Sequence, residues 1–366
     1  MMATIYGCAT LTIVALTGAN SNAGLPGISV SRPTQVTEKI DGHDLFTIPQ
    51  YISLDREMSG WSTRAWTMQE ELLSRRMLQF TESQVDFSCL RGSVWEGVDT
   101  ATAPPNYTPA HPTESLIHLV TRDQSKDRAP TAPVSLEGRM RLYDGILQTY
   151  TSRHMTNSSD SLNALLGMLA AFQRRLFPDG FVHGLPVWSH PASIGWMHDR
   201  LAKPKRRPIF PSWTWAGWEG TAAIPRDLLS TFDNGVNLIT HQDLEVSIVD
   251  VQGKKLLVEG WVAELDVRTE PFSEVFVVGQ EEAIAAVMEG NFLHNNTLPT
   301  GRYSCLVVQR QRERNSNRQP PRQKAFLNVL EWLGDVAQRR TMITVTPFAG
   351  SDFEQIKLEK RLVRLI

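Results

Sequence analysis

The chain has 366 residues, of which 41% are hydrophobic and 21% charged, as in an ordinary water-soluble globular protein with room for two domains. Its formal net charge of −2 gives no overall attraction to nucleic acid or to an anionic membrane surface. Three widely spaced cysteines, an odd number, argue against a disulfide scaffold and favour a reducing compartment, so we expect a cytoplasmic protein.

The N-terminal sixty residues divide into two predicted zones. Residues 1–22 are predicted to form a helix that leads into a strand. This stretch lacks the positive start of a signal peptide and is too short and too polar to cross a membrane, so we expect no membrane span. Residues 23–60 are predicted to be rich in loops, because glycine and proline recur along them.

The segment from Arg64 to Arg76 combines a tryptophan, an amide, two carboxylates and three guanidinium groups in thirteen residues. We predict a helix from about Thr67 to Ser74, which would place Trp66 and Glu70 on one face because they are four residues apart. A carboxylate beside an indole is partly removed from water, which suits it to acid–base or charge-stabilising chemistry. The alternative is a surface helix in which Glu70 or Glu71 pairs with Arg75.

The middle of the chain alternates between loop and helix patterns. Residues 61–98 are predicted to hold the helix from about Thr67 to Ser74 and a hairpin-like pair of strands. Residues 99–135 are rich in proline, threonine and alanine and are predicted to form a long loop. From about Leu136 to Leu176 apolar residues recur at helical spacing, and Asn157 to Asp160 supply N-cap chemistry for the second helix of this region.

The last part of the chain is predicted to begin as an aromatic loop region and to continue as strands. Trp213, Trp215 and Trp218 are expected to pack in a core, the alternative being that they stack a flat ligand. Beyond Gln242, apolar residues alternate in period two and predict strands, with a disordered insertion from Gln309 to Lys324.

The histidines of the aromatic region match no compact metal-binding signature. They are His183, His190 and His198, and we expect packing or surface roles and no metal site.

The stretch Arg64-Ala65-Trp66-Thr67-Met68-Gln69-Glu70-Glu71-Leu72-Leu73-Ser74-Arg75-Arg76, followed by Val85-Asp86-Phe87-Ser88-Cys89, resembles the signature of fungal heterokaryon incompatibility (HET) domains. Patches of similar character run from Met2 to about Gly220. The family's opening motifs, Ser-Tyr-x-Trp-Gly and Ile-Asp-x-x-Cys-Ile-x-Gln, are not found, so the chain is expected to lack the N-terminal part of the domain.

This resemblance, which ends near Gly220, and the strand pattern beyond Gln242 together predict a domain organisation and an α+β fold. We expect the C-terminal part of a HET domain at residues 1–98, a linker at 99–135, a helical and Trp-rich HET-associated region at 136–220, and a β-rich C-terminal region at 242–366. HET domains resemble Toll/interleukin-receptor (TIR) domains, so the first region is expected to be a partial TIR-like α/β domain.

The resemblance also implies a chemistry. Some TIR domains cleave NAD, using a glutamate four residues after a tryptophan, and Trp66 and Glu70 have that spacing. Glu70 is therefore the catalytic position carried over, with Trp66 in support. No resident cofactor is expected, since NAD would be the substrate of the complete domain. We predict that this chain does not turn over NAD alone.

Two functions remain open at this point. The first is part of a programmed cell-death effector of fungal nonself recognition, and the second is a non-catalytic interaction or regulatory fragment. In either case the resemblance implies protein partners of the incompatibility system, with room for homo-oligomers, and no nucleic acid.

Overall fold

The computed structural model describes residues 2–18, 20–47, 52–89, 92–97, 135–199, 204–229, 232–233, 236–240, 245–268, 274–278, 283–288, 298–313, 323–348 and 353–366. The chain forms two compact units, residues 1–132 with 153–175, and residues 133–152 with 176–366. Both helices and strands are present, so the predicted α+β class is confirmed. No helix in the described ranges is long and apolar enough to cross a membrane.

The first unit is built from short helices and a small sheet. Its described helices are α1 (Met2–Cys8), α2 (Ile52–Met58), α3 (Thr67–Leu73) and α5 (Leu166–Arg175), with 3₁₀-helices at Ser158–Asp160 and Asn163–Leu165. Its described strands are β1 (Thr12–Ala15), β2 (Thr37–Ile40), β3 (His43–Phe46), β4 (Arg76–Phe80), β5 (Val85–Cys89) and β6 (Gly92–Trp95).

Four of these strands form one sheet, in the order β1-β4-β5-β6. β1 runs parallel to β4, and the other two pairings are antiparallel. One face of the sheet carries an apolar cluster that includes Val14 and Met77. The helix-to-strand start of the chain, the signature helix and the hairpin that follows it are thus where the sequence predicts them.

Three helices of this unit approach closely at Gly167. A Cβ atom added there would lie 2.2 Å from Gln69 Oε1 and 2.6 Å from the Cβ of Ala3. Because real Cβ atoms do not tolerate such distances, only glycine lets α5 pack against α1 and α3 at this point.

The second unit contains α4 (Leu136–Thr151), α6 (Arg226–Leu229), and 3₁₀-helices at Pro191–Gly195, Trp215–Gly217 and Phe353–Gln355. Its described strands are β7 (Met197–His198), β8 (Lys205–Arg206), β9 (Trp218–Glu219), β10 (Ala222–Ala223), β11 (Phe232–Asp233), β12 (Val236–Thr240), β13 (Ser247–Gln252), β14 (Lys255–Arg268), β15 (Glu274–Val277), β16 (Ala283–Met288), β17 (Gly301–Glu313), β18 (Gln323–Leu333), β19 (Val336–Pro347) and β20 (Leu358–Leu365).

The large sheet of this unit closes on itself. Successive antiparallel pairings connect β14, β17, β18, β19, β16 and β15, and β15 returns to β14. Alternate residues such as Leu265, Val307 and Leu327 point into one apolar core. A cavity of about 20 Å³ remains there. The interior of the closed sheet is therefore packed, with space for about one water molecule.

Three sequence predictions need correction. The loop-rich zone 23–60 contains α2 and the β2–β3 hairpin. Asp41 and Gly42 connect the two strands with φ angles of 50° and 81°, the conformation of a two-residue hairpin turn in which Asp-Gly is favoured. The prediction missed this turn because nearby prolines and glycines suggested loop.

The second correction concerns the start of α5. Asn157 precedes a separate 3₁₀-helix and makes no side-chain capping bond, and α5 begins only at Leu166. The third concerns the predicted insertion: β17 continues to Glu313 and β18 starts at Gln323, so both ends of the segment 309–324 are strand. Residues 314–322, like most of the predicted loop 99–135, lie outside the described residues.

Candidate functional site

The signature helix α3 is an interior element of the first unit. Six of its seven residues are buried, and only Glu70 is half-buried. Thr67 Oγ1 donates to the backbone oxygen of Trp61 at 2.6 Å, and Ser74 Oγ donates to that of Glu70, also at 2.6 Å. The alternative of a surface helix is therefore wrong: α3 is held by side chains at both ends.

Glu71 is neutralised by two arginines inside the unit. Its carboxylate lies 2.7 Å from Arg153 Nη2 and 3.8 Å from Arg56 Nη1. The side chains of all three are at most 8% exposed. Buried charges persist only when they are paired, so Glu71 is a structural residue. The Arg75 side chain, the predicted partner, is exposed.

Arg56 extends the buried polar network of Glu71 into the sheet. Arg56 Nε and Nη2 donate to Gln79 Oε1 at 2.9 and 2.7 Å. Gln79 Nε2 in turn donates to Asp86 Oδ2 at 2.9 Å. These contacts connect α2, α3, β4 and β5. Removing one member would leave buried polar atoms of its neighbours without a hydrogen-bond partner.

Glu70 has a neutral hydrogen-bond partner. Trp61 Nε1 donates to Glu70 Oε2 at 3.1 Å. Burial, together with the nearby charge of Glu70, raises the pKa of Tyr6 to about 12, against an opposing effect of Arg64. The Glu71 carboxylate is paired with two arginines, whereas the hydrogen bond to Glu70 comes from a neutral indole. A carboxylate in that arrangement can stabilise positive charge on a bound group.

Trp66, the predicted companion of Glu70, stands at the N-cap of α3 with a half-buried side chain. The hydrogen-bonded indole comes instead from Trp61, which sequence reasoning missed. Trp61 lies nine residues before Glu70, a spacing without helical meaning, and only the turn between α2 and α3 brings it back. Its side chain is 7% exposed.

The other candidate residues belong to the second unit and are packing residues. Trp213 and Trp215 are buried, and their indole nitrogens donate to Lys254 O and Tyr143 Oη at 3.0 Å each. Trp218 is half-buried and donates to Ser212 O. The core-packing prediction is confirmed for the first two, because their rings are enclosed.

The buried histidines also lie in this unit. Burial lowers the pKa of His190 and of His198 to about 4. Within the described residues no group of histidines, cysteines and acidic residues has the geometry of a metal site.

The comparisons with known proteins concern the N-terminal part of the chain. Residues 1–70, which end at Glu70, match the family model described as "Heterokaryon incompatibility protein (HET)". No curated protein and no solved structure matches the chain at significant similarity. The match associates the chain with heterokaryon incompatibility.

Proposed function

Since residues 1–70 carry part of a HET domain, we propose that this chain acts in fungal nonself recognition as part of a programmed cell-death effector. In this proposal the NAD-cleaving chemistry of the TIR type belongs to the complete form of the domain, and Glu70 is its functional carboxylate. The observation that supports it is the half-buried Glu70 side chain, which accepts a hydrogen bond from the neutral Trp61 indole and belongs to a helix whose other residues are buried.

The location of Glu70 also supports the proposal. Trp61, which bonds to it, belongs to an apolar cluster that includes Leu16, the residue directly after β1. In open α/β sheets, ligands bind outside the carboxyl ends of parallel strands. Cleavage of a glycosidic bond passes through an oxocarbenium-like state, which a nearby carboxylate stabilises.

A second candidate is a non-catalytic interaction or regulatory fragment. In the described part of the four-stranded sheet only β1 and β4 run parallel, whereas a nucleotide cleft of a doubly wound fold lies between parallel strands. In this alternative the hydrogen bond from Trp61 to Glu70 simply holds the turn after α2 against α3.

Expression in a fungal host separates the two candidates. The wild-type chain is compared with Glu70→Gln, and with Glu57→Gln as a matched control, since Glu57 is an exposed residue of α2. In this proposal the activity is latent until the chain assembles with partner proteins, which the host supplies and a purified sample does not. We therefore expect the wild type and Glu57→Gln to kill the host, and Glu70→Gln to accumulate harmlessly at equal protein level. Harmless accumulation of the wild type would favour the non-catalytic fragment. Killing by Glu70→Gln as strong as that by the wild type would contradict the functional role of Glu70.

A purified sample gives an independent check. We expect no release of nicotinamide from NAD by this chain alone, because the described sheet supplies a single parallel pairing. Release that disappears in Glu70→Gln would overturn that expectation and would make the chain itself an NAD-cleaving enzyme.

A further inference from the structure

We propose that the outer face of the four-stranded sheet in the first unit binds an amphipathic helix of a partner protein, with a carboxylate of that helix beside Arg76. The outer face is the one opposite the apolar cluster that includes Val14 and Met77. A surface of this kind serves a cell-death effector and a non-catalytic fragment alike, so the inference goes beyond the proposed function.

The register of the strands places one apolar side chain from each strand in a single row across this face. Ile13 of β1 lies opposite Leu78 of β4. Leu78 lies opposite Phe87 of β5, which in turn lies opposite Val94 of β6. Residues opposite each other in neighbouring strands share a face of the sheet. The row therefore crosses all four strands, over about 14 Å at the usual strand spacing.

The two ends of this row are exposed to solvent. Ile13 is 59% exposed and Val94 52% exposed, and the two residues between them are half-buried. On the inner face, by contrast, Val14 is only 2% exposed, because the apolar cluster there includes Ile52 of α2. Parallel strands are found in sheets that carry helices on both faces. Contiguous apolar residues in contact with water indicate an interaction surface, and a helix is the element that suits this sheet.

The outer face carries an uncompensated positive charge at one end. Arg76, two residues before Leu78 in β4 and therefore on the same face, is exposed. Among the described residues its one hydrogen bond goes to Thr10 O at 3.5 Å, and no carboxylate lies within ion-pair distance. At the opposite end, directly after β6, Glu96 is already paired with Arg32 at 2.5 Å. The charge that this face offers to a partner is thus a cation.

This charge distribution favours a different protein over a second copy of the chain. A second copy would bring another Arg76 to the contact, while Glu96 is engaged with its own arginine. Glu82, in the turn after β4, lies near α2 on the inner side, where burial and, less, the charge of Glu82 raise the pKa of Asp55. The compensating carboxylate must therefore come from another kind of chain.

An amphipathic helix meets both requirements of the surface. Its apolar stripe repeats every three or four residues, and acidic residues are favoured in its first turn because they complement the helix dipole. With side chains a helix is about 10 Å across, so it covers Leu78 and Phe87 and brings its flanks against Ile13 and Val94. When its first turn lies beside Arg76, the helix runs in the direction of β4.

The surface is tested by fluorescence anisotropy with the full chain and two labelled synthetic peptides. Both are about 15 residues long, which gives roughly four turns, are held helical by a hydrocarbon staple and carry the same stripe of leucines. The first has glutamates in its first turn and lysines in its last, and the second has these charges exchanged. We expect the wild-type chain to bind the first peptide about fivefold more tightly than the second, because an ion pair with Arg76 is replaced by a repulsion.

Variants of the row and of the charge separate this surface from unspecific binding. Ile13→Glu and Val94→Glu each place a charge under the helix, and we expect each to weaken binding of the first peptide about tenfold or more. Leu362→Glu is the matched control, because Leu362 is a strand residue of the second unit and is 54% exposed. Arg76→Glu should reverse the preference, so that the second peptide binds more tightly than the first. Urea denaturation of each variant verifies that it is folded.

Four outcomes would overturn the proposal. They are binding of neither peptide, binding that Ile13→Glu and Val94→Glu leave unchanged, and a preference between the peptides that Arg76→Glu does not alter. The fourth is a dimer of the wild-type chain in analytical ultracentrifugation that Ile13→Glu dissociates, which would assign this face to a second copy. None of these measurements depends on killing or on Glu70, so the proposed function and the docking surface stand or fall separately.

Discussion

Both units of this protein bury arginine side chains, but they compensate the charge in different ways. In the first unit, Arg56 and Arg153 share the Glu71 carboxylate. In the second, the fully buried Arg339 donates to neutral acceptors: its Nε lies 2.9 Å from Asn328 Oδ1, and its Nη2 bonds to the backbone oxygen of Trp196. Its guanidinium also lies over the Trp196 ring, 4.1 Å from the centroid.

The difference shows what each arrangement depends on. An ion pair in an apolar interior fails when one partner is removed, because the remaining charge has no compensation. A cation that contacts carbonyl oxygens and an aromatic ring is stabilised by several neutral groups at once. Burial nevertheless lowers the pKa of Arg339 to about 9, which reflects the cost of removing this cation from water.

The largest expected effect comes from breaking the first arrangement. Glu71→Gln leaves two buried guanidinium groups facing a neutral amide, and we expect a loss of about 3–5 kcal/mol in the free energy of unfolding. Urea denaturation measures it. Glu137→Gln is the matched control, because its pair with Arg141 is solvent-exposed and contributes about 0.3–0.5 kcal/mol. Equal effects of the two variants would contradict the structural role of Glu71.

Arg339→Met sharpens the comparison from the other side. It keeps the buried stem but leaves Asn328 Oδ1 and Trp196 O without this donor, and we expect a loss of about 2–4 kcal/mol. The neighbouring Arg340→Met is the control, since Arg340 is 57% exposed in its pair with Glu331. A cost of Arg339→Met as small as that of the control would show that the neutral acceptors contribute nothing.

The smallest expected effect is a pH dependence of the second unit. The pKa of His198 is lowered to about 4, mainly by burial and further by the charges of Arg339 and Arg207, with the backbone of Thr221 and Gly220 opposing. Between this value and about 6.5 the unfolded chain binds the proton and the folded chain does not, so stability rises with pH across that window.

We expect His198 to account for about 2 kcal/mol of the difference in stability between pH 5 and pH 7. His198→Asn should flatten the stability profile by that amount. His190→Asn should do the same independently, since its pKa is also about 4. A profile that neither variant changes would mean that folding leaves the pKa of these histidines at its value in the unfolded chain.

Local patterns were enough to predict much of the first unit. The helix α3 and the β4–β5 hairpin follow from spacing and alternation within a few residues. In the second unit, the burial of Trp213 and Trp215 follows from the size of their rings. The Asp41-Gly42 turn was equally local, and a closer reading of that dipeptide would have found its hairpin.

The partners of the two glutamates could not be read from the sequence. Arg153 lies 82 residues from Glu71, and only the packing of the segment 153–175 against α3 brings it there. The same holds for Trp61, which reaches Glu70 only because the turn between α2 and α3 brings it back. Contacts of this kind depend on how elements pack, which the helical and strand periods do not encode.

The strand β14 has a consequence for how the second unit comes to be folded. Its first half pairs with β20, whose residues lie about a hundred positions further along the chain, while its second half pairs with β15 and β17. Pairings between such distant residues form slowly, because a long loop must close first. Most of this unit therefore leaves the ribosome before β14 pairs with β20, and in that interval its apolar residues are exposed to water and to other chains.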